Sequence, residues 1–158
     1  VKAETAGRQT AHPPSPTGLA IFWLEVLEMA YAGDDAGVAD RLATLQCRRE
    51  DLEELFGVGA GQRLWSDYAR AFASFAGEGA AEISRKIRER RYDDVEVVPL
   101  SGARELPPAE RKTAEPLRTN APVYAVRLKR SEEEGGIRID TFVFLDGCWR
   151  TGLKVGCS

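Results

Sequence analysis

A two-residue Asp146-Gly147 step between two strand-like runs constrains this chain most. Thr141-Phe-Val-Phe-Leu-Asp precedes it, and Gly-Cys-Trp-Arg-Thr-Gly-Leu-Lys-Val-Gly156 completes it. Asp-Gly between aromatic and β-branched runs is a strong hairpin signal, because both central residues of a type I′ turn need positive φ. The turn fixes a register in which Phe144 faces Trp149, Phe142 faces Thr151 and Asp140 faces Leu153. Upstream, Ala121-Pro-Val-Tyr-Ala-Val-Arg-Leu-Lys-Arg130 supplies another strand, so residues 121–156 read as a three-stranded antiparallel meander.

The connection Ser131-Glu-Glu-Glu-Gly-Gly136 most simply pairs Arg130 with Ile137. Ala125 then faces Phe142, and Arg127 faces Asp140. One sheet face carries Val123, Ala125, Phe142, Phe144, Trp149, Thr151, Leu153 and Val155, with Arg127, Arg138 and Asp140 toward one end. The other carries Tyr124, Val126, Leu128, Ile139, Thr141, Val143 and Leu145, beside Arg150 and Lys154. Neither face is polar throughout. An odd-length connection would flip the first strand and remove the Arg127–Asp140 pairing.

Helical patterns fill the upstream half. Leu19–Ala32 is apolar around most of its circumference and is expected to be deeply buried. Gly33-Asp-Asp35 caps a second helix over Ala36–Leu45, and a third covers Arg49–Phe56, ending at Gly57. From Gln62 to Phe75, Leu64, Trp65, Tyr68, Phe72 and Phe75 recur at three- and four-residue steps. Gly77-Glu-Gly79 is expected to break that helix before a further piece over Ala80–Arg91. Val95, Val97 and Val98 mark a first strand, and the Pro-rich stretch 101–120 reads as a long connection. Helices first and strands afterwards give an α+β fold: N-terminal helices packed on a curved antiparallel sheet of about four strands.

The 158 residues suit one domain over 19–158, preceded by a polar Pro/Thr/Ala-rich leader or linker over 1–18. A net charge of −3 argues against a general nucleic-acid binder. The longest apolar run, Leu19–Leu24, is too short to cross a bilayer. Cys47, Cys148 and Cys157 lack metal-ligand spacing and read as buried or spare thiols. No phosphate loop, nucleophile elbow or zinc motif is present. The start at Val1 with such a leader suits an exported or envelope protein, and a cytoplasmic one with a trimmed tail is the alternative.

Two stretches, Leu24–Leu42 and Thr141–Val155, resemble the nuclear transport factor 2-like superfamily, which includes ketosteroid isomerases and polyketide-cyclase-like proteins. Leu24-Glu-Val-Leu-Glu-Met-Ala-Tyr-Ala-Gly-Asp-Asp-Ala-Gly-Val-Ala-Asp-Arg-Leu42 looks like that family's long first helix, Gly-Asp turn and short second helix. Thr141 to Val155 looks like its terminal hairpin. With the element order, the likeness covers roughly residues 19–156, and residues 47–91 exceed the minimal fold. The resemblance implies a cystatin-like cone, a curved sheet wrapped on helices, often with an internal pocket and frequently as a homodimer. Dehydratase-type members use a His/Asp pair, whereas the one histidine here is His12 in the leader. Isomerase-type members use a base aspartate with tyrosine and protonated-acid donors. Tyr31, Tyr68 and Asp140 supply those residue types, but no local motif gives them those roles.

The candidate ligand-binding residues are Tyr31, Trp65, Tyr68, Arg127, Asp140 and Trp149. Asp140 is the sharpest: either a buried acid facing a ligand, or the cross-strand partner of Arg127. Trp65 and Tyr68 either roof an apolar cavity or are plain core. Tyr31 either points its hydroxyl into the same space or is core with a wet tip. Arg85-Lys-Ile-Arg-Glu-Arg-Arg91 reads as a solvated helix face anchored by Ile83 and Ile87. The favoured reading is a non-enzymatic ligand-binding or protein-interaction domain with no cofactor and no metal. The rival is a small isomerase, dehydratase or cyclase acting on a hydrophobic molecule, with Asp140 as base and Tyr31 or Tyr68 as donor. A third is a homodimerisation module seamed along Tyr124, Val126 and Val143.

Overall fold

The computed structural model describes residues 13–100, 119 and 121–153. Helix α1 (Pro16–Tyr31) begins where the Ser15 side chain accepts the Gly18 N–H at 3.2 Å, with Pro16 already at its first position. It therefore starts three residues before the expected Leu19. Leu19, Phe22, Trp23, Val26, Leu27 and Ala30 are buried, but Ile21 and Leu24 are 40% and 45% exposed. The helix thus buries one broad stripe rather than its whole circumference.

Helix α2 (Asp35–Ala43) is capped by Asp34, which accepts the Gly37 N–H at 2.9 Å. Helix α3 (Arg49–Phe56) starts where the Asp51 carboxylate reaches back to the Arg48 N–H at 2.7 Å. Helix α4 (Val58–Ser74) folds back on α3, and Gly61 makes the close approach possible. A Cβ there would stand 2.7 Å from the Glu53 backbone.

Gly77-Glu-Gly79 does not break the helix. Residues Phe75–Gly79 form a π-helical turn that leads directly into α5 (Ala80–Arg90). Each interior glycine costs roughly 1 kcal/mol against alanine. The flanking residues offset this: Phe72, Ala80, Ile83 and Ile87 are buried, and Phe75 and Ala76 pack against the same core. A wider turn lets both flanking faces reach that core.

The strands β1 (Asp94–Leu100), β2 (Val123–Lys129), β3 (Ile137–Leu145) and β4 (Cys148–Thr151) form an antiparallel sheet in that order. The architecture is α+β. Pro99 is tolerated because β1 lies at a sheet edge. Asp146 and Gly147 both have positive φ, 52° and 82°, as the two-residue hairpin requires, and Phe144–Trp149 and Phe142–Thr151 pair as expected. Strand β4 ends at Thr151, so the expected Asp140–Leu153 pairing does not form. Residues 154–158 lie outside the described set, as do 101–118, 120 and the first twelve residues of the leader.

The register between β2 and β3 corrects the sequence reading. Leu128 faces Ile137, Arg127 faces Arg138 and Val126 faces Ile139, whereas Tyr124 faces Phe142 and Val123 faces Val143. Asp140 and Thr141 together therefore stand across from Ala125 as a β-bulge. Ala125 does not face Phe142, and Arg127 does not face Asp140. The bulge gathers the apolar halves that a strict two-residue period separates. Tyr124, Val126, Leu128, Ile139, Phe142, Phe144 and Trp149 share one face, where Trp23 of α1 meets Phe142 edge-on at 5.9 Å. Val126 and Val143 are fully buried within the single chain, so the Tyr124/Val126/Val143 seam does not exist as one exposed face.

Candidate functional site

Between α2 and α3 the chain runs extended beside β4. The Thr151 N–H donates to the Leu45 carbonyl at 2.8 Å, and Gln46 bridges to Thr151 in parallel. This linker, the start of α3, Trp65 of α4 and Arg150 of β4 enclose an open cleft of about 540 Å³. Ala43, Gln46 and Cys47 contribute to its wall, with Arg48, Arg49, Glu50 and Arg150 supplying charge.

Each basic side chain is held differently. Arg48 donates to both oxygens of buried Asp51 and also reaches Asp146 at 3.1 Å. Those carboxylates hold its guanidinium more firmly protonated than usual, through the Asp51 hydrogen bonds above all. Arg150 donates to the Gln46 carbonyl at 2.9 Å, and its Nε lies 3.6 Å from Asp51, too far for a hydrogen bond. Among the described residues that buried Nε has no hydrogen-bond partner. Arg49 lies over the Trp65 ring, 5.5 Å from its centroid. Trp65 in turn stacks on Tyr68 at 6.1 Å.

Behind the cleft, the Tyr68 hydroxyl accepts the Cys47 N–H and donates to the Thr151 carbonyl, both at 2.7 Å. The Cys47 thiol donates to the same carbonyl at 3.3 Å. Burial pushes the Cys47 thiol up to about 12 and raises the Tyr68 phenol well above its ordinary value. Neither group ionises near neutrality. Thr151 continues the chain of bonds, its hydroxyl donating to the Asp140 carbonyl at 3.0 Å.

The six candidate residues are not brought into one pocket. Trp65 and Tyr68 are stacked neighbours, and Tyr68 reaches Asp140 only through Thr151. The Asp140 side chain is buried and accepts from Arg138 Nε at 2.7 Å, so its cation is the second residue before it rather than Arg127. Arg127 shares its sheet face with Arg138, its cross-strand neighbour, but is engaged elsewhere, donating to the Glu134 carbonyl at 3.0 Å with Glu96 at 3.6 Å. Trp149 is buried against Tyr124 and Phe144, and its indole N–H donates to the Pro13 carbonyl at 3.1 Å. Tyr31 does not enter this space. Its hydroxyl fastens α1 to the end of α5, on the carbonyls of Tyr92 at 2.6 Å and Ile87 at 3.2 Å. Partial burial, then Asp93, raises its pKa.

Of the cleft's lining, only Trp65 stood among the sequence candidates. In the sequence Cys47 reads as a spare thiol, and Arg48, Arg49 and Arg150 carry no spacing signal, since the fold joins positions a hundred residues apart. Among the described residues no group of three or more His, Cys, Asp or Glu is gathered to hold a metal, and no helix is long and apolar enough to cross a membrane. No family model matches the chain, and no curated protein or solved structure is detectably similar to it.

Proposed function

We propose that this chain is a non-enzymatic binding domain, with the cleft between the α2–α3 linker, Trp65 and Arg150 as its ligand or partner site. One observation carries the reading: the groups an acid–base enzyme would use are engaged in holding the fold together. The Tyr68 hydroxyl is bonded on both sides to backbone, Asp140 binds Arg138, and Tyr31 binds two carbonyls. The cleft, by contrast, opens to solvent with charged side chains on its rim. Small-molecule and peptide sites combine such concavity with a few fixed polar groups.

A cone of the nuclear transport factor 2-like type belongs to the same proposal. Its support is the long α1, the short α2 after Gly33-Asp34, and the terminal Asp-Gly hairpin. An exported or envelope location is also part of it, supported by the composition of residues 1–18. Fragment screening by amide-detected NMR tests the binding reading. Saturable shifts confined to residues 43–50, 65 and 150, with the fragments recovered unchanged, support it. Turnover of a hydrophobic carbonyl compound, abolished by Asp140→Asn with the fold intact, refutes it in favour of the isomerase-type enzyme.

A further inference from the structure

The cleft's charges differ in what they already hold, and that difference points to a ligand class. Arg48 is committed to Asp51 and Asp146. Arg150 is anchored to the Gln46 carbonyl and faces Asp51 at 3.6 Å. Arg49 is the exception. Its recorded contact is the Trp65 ring, and among the described residues no carboxylate lies within ion-pair distance of it. Trp65 is stacked on Tyr68, which two 2.7 Å hydrogen bonds fix to the linker and to β4.

Arg49 is therefore a charged fork positioned by stacking rather than neutralised by an ion pair. Stacking engages the face of a guanidinium and leaves its N–H edges available. We infer that the cleft binds an oxyanion, a carboxylate or phosphate group, gripped by Arg49 and attracted also by Arg150. The inference rests on the reading of this cleft as the binding site. Planar, bidentate recognition is what a guanidinium offers such groups. Glu50 lines the same cleft and opposes an anion, so it limits affinity rather than contributing to it. Asp51 and Asp146 pair with Arg48 and offset its charge, which leaves Arg49 as the group that decides.

The test titrates the full chain at constant ionic strength with acetate, inorganic phosphate and neutral acetamide, following the Trp65 indole N–H and the Arg49 and Arg150 Nε–H signals. Acetate or phosphate is expected to move these saturably while acetamide does not, and the tighter of the two anions identifies the source of the oxyanion. Arg49→Gln should weaken binding at least about tenfold, Arg49→Lys should give an intermediate loss, and Glu50→Gln should tighten it. Arg49 is exposed and forms no ion pair among the described residues, so both Arg49 variants should fold, with Trp indole spectra as the check. The oxyanion assignment is overturned if acetamide binds as well as acetate, or if Arg49→Gln binds anions unchanged. Neutral fragments moving cleft signals without any anion response would sink only this assignment. If no anion, acetamide or fragment moves the cleft signals, the binding-site reading fails with it.

Discussion

Removing one oxygen atom from Tyr68 should cost more than its size suggests. Tyr68→Phe leaves the ring stacked between Trp65 and Phe72 but deletes the hydroxyl that joins α4, the linker and β4. Its two partners fare differently. The Thr151 carbonyl keeps the Cys47 thiol at 3.3 Å, a weak donor, whereas the Cys47 N–H loses its acceptor inside a residue that is 1% exposed. An orphaned buried donor costs about 1–3 kcal/mol, and a lost neutral hydrogen bond adds about 1 kcal/mol. The expected loss is therefore about 2–4 kcal/mol, or roughly 6–12 °C in Tm for a chain of this length. Urea unfolding of Tyr68→Phe beside Tyr31→Phe measures it. Tyr31 also donates to two carbonyls, but it is 49% exposed, so water can replace its hydroxyl. A Tyr68→Phe loss no larger than that of Tyr31→Phe would refute the buried link. So would an unchanged hydrogen-exchange rate at the Cys47 amide.

Two further outcomes follow from the same contacts. Arg138→Gln should destabilise by about 1–3 kcal/mol, because Asp140 is buried while Arg138 is one-third exposed and its contribution is screened. Arg127→Gln should stay within about 0.5 kcal/mol, and the reverse order in urea unfolding would contradict the β2–β3 register. Cys47 is a proton-linked probe: its folded pKa is raised from 9.0 to about 12, so between those values the folded state holds a proton that the unfolded chain releases. Stability should thus fall as pH rises above 9, by up to about 1.4 kcal/mol per pH unit. Cys47→Ala should reduce the slope between pH 9 and 10, where an unfolded thiol with its ordinary value of 9.0 is more fully ionised than an unfolded Tyr68 with its ordinary value of 10.0, and an unchanged slope would exclude Cys47 as a source.

Local chemistry made much of the fold legible. Helix α3 occupies Arg49–Phe56 as read, because Gly57 stops it, and Asp146-Gly147 turns as read because its φ values leave few alternatives. The Gly77-Glu-Gly79 expectation failed because propensity is a cost of about a kilocalorie, which packing of Phe72, Ile83 and Ile87 overrides. The candidate site was less legible. Trp65 and Tyr68 were visible as aromatics at helical spacing, yet nothing local announced that Arg49 would lie over Trp65 or that Arg150 would share its cleft. Those proximities come from the α3–α4 reversal and from the Leu45–Cys47 segment lying against β4.

The Asp140–Thr141 bulge explains both the departure of β3 from a two-residue period and the pairing of Asp140 with Arg138 rather than with a cross-strand Arg127. With an unbroken two-residue period, β3 must choose between burying Ile137 and Ile139 or burying Phe142 and Phe144. One extra residue lets it bury both sets on the helix-facing side, against Val126 and Leu128 at one end and Tyr124 and Trp149 at the other. The residue that absorbs the shift is Asp140. Its carbonyl accepts from the Thr151 hydroxyl and one carboxylate oxygen accepts from Arg138 Nε, where the ladder is interrupted. The carboxylate that looked most like a catalyst in the sequence therefore lies at the point where the strand changes phase. The same Thr151 ties it to Tyr68 and Cys47, so substitutions along this chain should act first on stability, and on the cleft through the placement of Trp65 and of the Leu45–Cys47 segment.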